Sequence, residues 1–488
     1  MGPRLAAATL SVSLIMLAAC DAGMRSPDDS TDSRPARPPS EPSERLEDVY
    51  PDPAVLEGLD ERSRAFLALV VRVEGALDEV EATWGPGSAM KAMDAVRVIG
   101  ALRSPGGRRL VEIMERREGV SFGVDTNAWY GWLWSREYAP DADYAAYKSA
   151  VFKWIDPRFG DYFDDDPVAE IRLDEVRWGG VPQDGIPPLR GPRMISADKA
   201  AYLEDTNVVF GIEINGDARA YPKRILAWHE MFVDTVGGVD VAGVYCTLCG
   251  TVIIYETTLA DGRSFALGTS GFLYRSNKLM YDRETKSMWN TLWGVPVIGP
   301  LAEAEPAIEL PRRAVVTTTW GEWRRRHPET TVLSPDTGHS RDYREGAAYA
   351  AYFATDELMF GVPEVDDRLL NKQEVLGLVW DGDPETAETL AIDTAFLVSN
   401  PVYQDRLAGR AFVVLTDASG ANRVYESGGL TFAGYDGDST ARSDDGAAWT
   451  LTEAALRSDD GRTLERLPAQ RAFWFGWSSA FENVRLVR

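Results

Sequence analysis

The chain has 488 residues, 44% of them hydrophobic, and a formal net charge of −25. So large a negative excess repels polyanions and argues against nucleic acid or anionic lipid headgroups as partners. Once the N-terminal segment is set aside, the remaining length is too great for one hydrophobic core and points to two or three globular domains.

Arg4 precedes a weakly polar to apolar run from Leu5 to Ala19 that ends in Leu17-Ala18-Ala19-Cys20. A positive start, a short apolar stretch and small residues before a cysteine describe a lipoprotein signal peptide over 1–19, too short for a spanning helix. Cys20 then becomes the acylated first residue, a membrane anchor in the cell envelope. Asp21 resembles the enteric signal for retention on the inner membrane, facing the periplasm, while outer-membrane placement stays open. Residues 20–53 are rich in Pro, Ser, Asp and Arg and poor in large apolar side chains, which reads as a disordered tether. No later stretch is long and apolar enough to span a bilayer.

Over 54–160 the apolar positions recur at helical spacing, through Phe66, Leu67, Val70 and Val71, then Met93, Val96 and Ile99. Pro105-Gly106-Gly107 interrupts the pattern and Leu110 to Met114 resume it. The acidic run Asp161 to Asp166 lacks the order of a calcium loop and reads as solvated. Beyond it the texture turns to short β-branched and aromatic runs separated by Asn-Gly, Gly-Gly and Asp-Gly turns. The fold class is therefore α+β, a helical N-terminal region followed by two related, mostly antiparallel β-rich units over 161–345 and 346–488.

The relation between the units is an internal repeat. Setting Tyr255-Glu256 on Tyr425-Glu426 without a gap puts Gly250 on Gly420, Cys249 on Ser419 and Cys246 on Thr416. Trp320 and Trp323 then answer Trp474 and Trp477, and His327 falls on Phe481. Only the first unit keeps reactive side chains, so its cysteines are expected to serve chemistry rather than the fold.

With Cys20 acylated, Cys246 and Cys249 are the two remaining thiols, in an oxidising compartment. Three readings stay open. As a redox pair, one thiolate attacks a disulfide and the other resolves the mixed intermediate. As a metal half-site, the turn supplies two thiolates for copper or zinc, with His229 completing a Cys-Cys-His set. As a structural disulfide, it closes a loop too short to constrain the unfolded chain much. In the redox reading the partner is a thiol or disulfide protein, and His229 tunes the protons of the pair. Ser270, Tyr274, Ser276, Asn277, Asp282 and Trp289 are the candidate pocket, polar groups among aromatics. A third function, ligand binding without catalysis, would use Trp289, Trp293, Trp320 and Trp323, although tryptophans more often fill cores.

The motifs "INGDARAYP", "HEMFVDTVGG", "VYCTLCGTVIIYE", "SGFLYRSNKLMYDRETKSMW" and "TTTWGEWRRRHPET" together resemble the bacterial domain-of-unknown-function family 3179. The likeness runs over about 192–334 and extends through the second unit. Proteins similar to these include selenoproteins, and a selenocysteine in place of a motif cysteine implies redox catalysis at Cys246 or Cys249. Family members commonly carry proline after the first cysteine where this chain has Thr247, a change that bears on the rigidity of the turn.

Overall fold

The computed structural model describes residues 45–50, 52–100, 105–164, 167–380 and 386–488. The expected signal peptide, Cys20, Asp21 and the tether up to residue 44 lie outside the described residues. Residues 46–50, assigned to the tether by composition, pack on the helical region. Leu46–Val49 form a helical turn, and the buried Tyr50 donates its hydroxyl to the Ala150 carbonyl at 3.0 Å.

Six helices make the N-terminal layer: α1 (Glu61–Val70), α2 (Ala76–Thr83), α3 (Ser88–Ile99), α4 (Pro105–Glu118), α5 (Thr126–Trp134) and α6 (Tyr144–Lys153). Asp60 and Asp125 start α1 and α5 by accepting from Ser63 N–H at 2.6 Å and Ala128 N–H at 3.0 Å. Pro105 sits at the first position of α4, where its fixed φ suits the turn and its missing N–H costs nothing. The apolar stripes of these helices share one core with a five-stranded sheet of the first β unit, through Val176, Phe272, Tyr281 and Ile298. No helix among the described residues is long and apolar enough to cross a membrane.

The first β unit contains β1 (Val176–Trp178), β2 (Val208–Ile214), β3 (Asp217–Pro222), α7 (Lys223–His229), β4 (Met231–Val236), β5 (Val239–Cys246) and β6 (Thr251–Glu256). It continues with β7 (Leu267–Tyr274), β8 (Asn277–Asp282), β9 (Val316–Thr319), α8 (Trp320–Arg326) and β10 (Thr331–Leu333). The second unit contains β11 (Glu374–Leu378), β12 (Leu390–Asp393), α9 (Thr394–Ser399), β13 (Val402–Leu407) and β14 (Arg410–Thr416). It ends with β15 (Asn422–Glu426), β16 (Gln470–Phe473), α10 (Trp474–Ser478) and β17 (Arg485–Val487). Further strands fill the intervals.

The two units repeat one topology. In the first, β9, β2, β3 and β10 lie side by side with antiparallel, antiparallel and parallel pairing. In the second, β16, β11, β12 and β17 follow the same order with the same directions. A short helix follows β3 and β12, and another precedes β10 and β17. The packing repeats as well: His327 lies against Trp323 with ring centres 4.1 Å apart, and Phe481 against Trp477 at 4.3 Å.

The hairpin register shifts the sequence alignment at one point. Tyr255 faces Ala242 and Cys246 faces Thr251, whereas Tyr425 faces Val413 and Asp417 N–H bonds to Ala421 C=O at 3.0 Å. With Tyr255 on Tyr425, the position of Cys246 is therefore taken by Asp417 and not by Thr416. The second turn is one residue shorter, which a gapless alignment conceals.

Each turn abuts the other unit. Phe473 N–H, at the end of β16, donates to Cys249 C=O at 2.8 Å, and Thr318 Oγ1 on β9 lies 3.3 Å from Ser419 Oγ. The connector between β10 and β11 has one short helix, Ala350–Phe353, and passes over the cysteine turn.

Two glycines fix the helix-to-sheet distance in the paired sheets. A Cβ on Gly211 of β2 would fall 2.3 Å from the Trp323 ring, and one on Gly377 of β11 would fall 2.4 Å from the Trp477 ring. Gly211→Ala and Gly377→Ala should each destabilise the chain by about 1–3 kcal/mol through overpacking, read as a lower urea midpoint.

Candidate functional site

β5 delivers Cys246 at its last residue, and the turn Thr247-Leu248-Cys249-Gly250 returns the chain into β6. Gly250 takes φ +63, the left-handed conformation that closes the turn, and a Cβ there would sit 3.1 Å from the Phe473 ring. Cys246 and Cys249 form a disulfide with their Cα atoms 5.5 Å apart. Both are buried, 3% and 1% exposed, in an apolar cluster with Leu248, Leu273, Tyr352, Phe360, Val362 and Phe473.

The connector roofs this cluster through a few polar ties. Tyr352 donates its hydroxyl to Leu248 C=O at 2.8 Å, and Ser276 donates to Phe360 C=O at 2.9 Å. From the helical layer, Asn127 Oδ1 accepts from Gly361 N–H at 2.9 Å. Three separate parts of the chain thus meet above the disulfide.

Of the expected pocket residues, Ser276 and Asn277 reach the site. Asn277 donates from Nδ2 to Gly476 C=O at 3.1 Å, while its buried Oδ1 has no partner. A Cβ on Gly476 would stand 2.7 Å from Cys249 Cβ and 3.4 Å from that oxygen, so asparagine, glycine and cysteine pack edge to edge. Thr247 Oγ1, between the cysteines, is also buried without a partner. The β7–β8 hairpin that presents these residues turns through Arg275 and Ser276, with φ +47 and +64. Turns of this kind favour Asn-Gly, so the strain must be held elsewhere. Glu175 grips Arg275 at 2.6 Å and Phe360 grips Ser276. Tyr274 lies beside this turn, with the Arg275 guanidinium 5.1 Å from its ring.

The other three expected pocket residues serve the fold. Ser270 donates to Leu279 C=O at 2.7 Å and accepts from Phe272 N–H at 3.0 Å, both within the hairpin. Asp282 accepts from Ala266 N–H at 3.1 Å and Thr285 N–H at 2.8 Å, which is turn chemistry. Trp289 is fully buried against Phe265, ring centres 5.0 Å apart. Trp293, Trp320 and Trp323 are also core residues, so none of the four tryptophans presents a ligand-binding face.

His229 does not join the cysteines. Its Nδ1 lies 2.9 Å from Pro187 C=O, which fixes that nitrogen as the donor, and Nε2 lies 2.5 Å from the Tyr343 hydroxyl, which donates to it. Burial pulls its pKa down to about 4. The Cys-Cys-His metal set therefore is not assembled: the sulfurs are bonded to each other and the imidazole is engaged elsewhere. Among the described residues, the one cluster with metal-ligand spacing is Asp60, Asp141 and Asp143, and the Lys91 ammonium already pairs with all three.

The neighbour of His229 turns the other way. Glu230 takes φ +54, accepts Tyr245 N–H on its carbonyl at 2.9 Å and pairs its carboxylate with Lys278 at 3.2 Å. Lys278 is 4% exposed, and burial pulls its pKa below the ordinary lysine range against the pull of Glu230. Sequence reading overlooked this pair, as well as Gly476, Phe473 and Tyr352. A charged residue inside an apolar strand, as in Asn277-Lys278-Leu279-Met280, was the available signal.

The buried His229 makes stability depend on pH. The unfolded chain takes up the proton near 6.5 and the folded chain near 4. The contribution is complete above 6.5 and is lost, by about 3 kcal/mol, as pH falls from 6.5 to 4. Urea midpoints of the wild type should fall across that window and those of His229→Gln should stay nearly flat. A parallel fall in both would assign the effect to another group.

A family model described as protein of unknown function (DUF3179) matches residues 183–484, which takes in the connector and both β units apart from β1 and β17. No curated protein and no solved structure shows a detectable match to this chain. The match spans more than half of the sequence and begins after the helical layer and β1, so the chain belongs to the DUF3179 family, as the motifs around Cys246 and Cys249 suggested.

Proposed function

We propose that this protein is a membrane-anchored lipoprotein of the cell envelope whose Cys246–Cys249 disulfide exchanges with thiols of a partner protein. The observation that carries this reading is the comparison between the two turns. The second unit closes a turn at the same place in the same topology with Asp417 and Ser419, so the fold does not require sulfur there. We infer on the same grounds that the two units are copies and that only the first retained the cysteines.

Energetics point the same way. A disulfide that closes so few residues removes little entropy from the unfolded chain, about 2 kcal/mol on the loop-closure relation. A bond that adds little to a chain of this size is better explained by its chemistry. Because the oxidised pair is buried, exchange requires the connector to lift. Only the stretch over the turn need move, and the ties that hold it there are Tyr352 to Leu248, Ser276 to Phe360, and Asn127 to Leu358 and Gly361.

The envelope address rests on the Leu17-Ala18-Ala19-Cys20 sequence, and Asp21 favours the inner membrane. A Cys20→Ala chain should leave the membrane fraction for the soluble one.

The redox reading is tested by titrating thiols in the folded protein. With a dithiol reductant, two thiols should appear while tryptophan fluorescence stays native, and Asn127→Ala should speed their appearance several-fold. The double variant Cys246→Ser, Cys249→Ser should fold and lose no more than about 2 kcal/mol. A disulfide that resists dithiol until the chain unfolds, in a protein that the double variant cripples, would assign the bond to structure.

A further inference from the structure

Side chains on directly opposed residues of antiparallel strands project from the same face of the sheet. Arg177 of β1 faces Leu273 of β7, and Leu273 faces Lys278 of β8. Arg177, Leu273 and Lys278 therefore form a row on one face. Leu273 belongs to the apolar cluster that encloses Cys246 and Cys249, so both cations flank the layer that covers the disulfide.

The two cations differ in compensation. Lys278 has Glu230. Arg177 is 4% exposed, its Nε and Nη1 have no hydrogen-bond partner, and no carboxylate pairs with it among the described residues. It lies 3.6 Å above the Tyr130 ring, with Phe360 of the roof 5.2 Å away. A second guanidinium, Arg97, shares the Phe360 ring at 4.9 Å and donates from Nε to Trp178 C=O at 2.7 Å. Aromatic faces offset part of the cost of burying such charge, and an unmatched guanidinium still demands an anion. Burial pulls Arg177 down to about 10, which leaves it charged at neutral pH.

Other charges face the cluster as well: on the roof, Lys372 donates to the carbonyls of Tyr352 and Thr355, and Lys223 lies 5.3 Å from the Phe353 ring. Asp94 acts on Arg177 and is itself bound to Lys148 at 2.8 Å; Asp184 acts on Lys278 beside Glu230. On the far side, Glu374 and Glu345 act on Tyr245, the residue before Cys246, and oppose the cations. On the Leu273 side, Arg177 is the buried cation that no carboxylate pairs among the described residues.

We propose that Arg177, supported by Arg97 and Lys278, is the counter-charge for a thiolate formed when Cys246–Cys249 is reduced, which makes this disulfide an oxidant. The proposal rests on the redox reading and treats Arg177 as a positioning residue, one that acts through the field. In the reaction, a thiolate of a dithiol reductant attacks one protein sulfur, the protein S–S bond breaks and a mixed disulfide forms. The released protein sulfur carries the electron pair as a thiolate. The second thiol of the reductant loses its proton and displaces the bound protein sulfur, leaving the reductant as a cyclic disulfide. Two electrons enter the protein. Of the two protons from the dithiol, one remains on the second protein thiol and one goes to solvent.

The test equilibrates the full chain with reduced and oxidised dithiothreitol and measures the thiolate of the reduced protein by its ultraviolet absorbance against pH. In the wild type one thiol should ionise below the ordinary value of about 8.5. Arg177→Met should lower the ratio of dithiol to disulfide about tenfold, equivalent to about 30 mV, and raise the thiolate pKa. Arg177→Lys should fall between the two. Arg97→Met, a milder change, should shift both readouts in the same direction two- to threefold. An ordinary or raised thiolate pKa in the wild type overturns the proposal, and so does an Arg97→Met or folded Arg177→Met protein with an unchanged equilibrium. Failure of the wild-type disulfide to be reduced in the native state overturns the redox reading itself, and this inference with it.

Discussion

The backbone hydrogen bond from Phe473 N–H to Cys249 C=O sets the geometry on which the site depends. It fastens the turn of the first unit to the last strand of the second, and the residues around it leave no slack. A Cβ on Gly476 would meet Cys249, and one on Gly250 would meet the Phe473 ring. A glycine on each side of the seam lets the two backbones approach closely enough for the bond to form. The seam has a counterpart where Ser419 meets Thr318, so each unit completes its turn against the other. The cysteine site is therefore a property of the pair of units, and neither folded alone would build it.

That arrangement explains what was legible in the sequence. The helical region, the strand texture and the turn glycines follow from local periodicity, and the Trp320/Trp323 and Trp474/Trp477 pairs mark a shared packing because each helix sets one tryptophan on a glycine of its sheet. Residues 46–50 were placed in the tether because their few apolar groups look insufficient in isolation, yet Leu46 and Tyr50 find a core that distant helices supply. Composition cannot see a partner of that kind. Cys246 and Cys249 were legible as a candidate redox or metal pair because only two residues separate them; their burial was not, because the roof comes from residues about a hundred positions later.

His229 shows the same limit at the scale of one residue. Its spacing from Cys246 allows a fold-back, and the chain does fold back: Met231 of β4 faces Val244 of β5. Between them Glu230 adopts a left-handed conformation, which ends α7 and reverses the side-chain direction. His229 is left facing Pro187 and Tyr343, and Glu230 faces Lys278. A one-residue change of backbone hand separates the two side chains, with Glu230 on Lys278 of β8 and His229 on Pro187 and Tyr343, and spacing arguments carry no information about it.

The equivalent turns also solve the same problem with different chemistry. In the second unit Asp417 stands where Cys246 stands in the first. Its carboxylate is fully buried, 2.8 Å from Arg423, which in turn holds Glu453 at 2.7 Å. Glu453 also binds Arg466 at 3.1 Å, so the charges are matched along a chain that the sheet fixes in place. Such a network is costly to assemble and costly to break, and it permits no change of charge. The first unit is the reverse case. Its turn is closed by a neutral bond, while the unpaired buried cation Arg177 stands beside Leu273 of the cluster that encloses it. One turn is locked by ion pairs between opposite charges. The other keeps a cation waiting for an anion, and among the groups at that turn a reduced sulfur is the one able to become it.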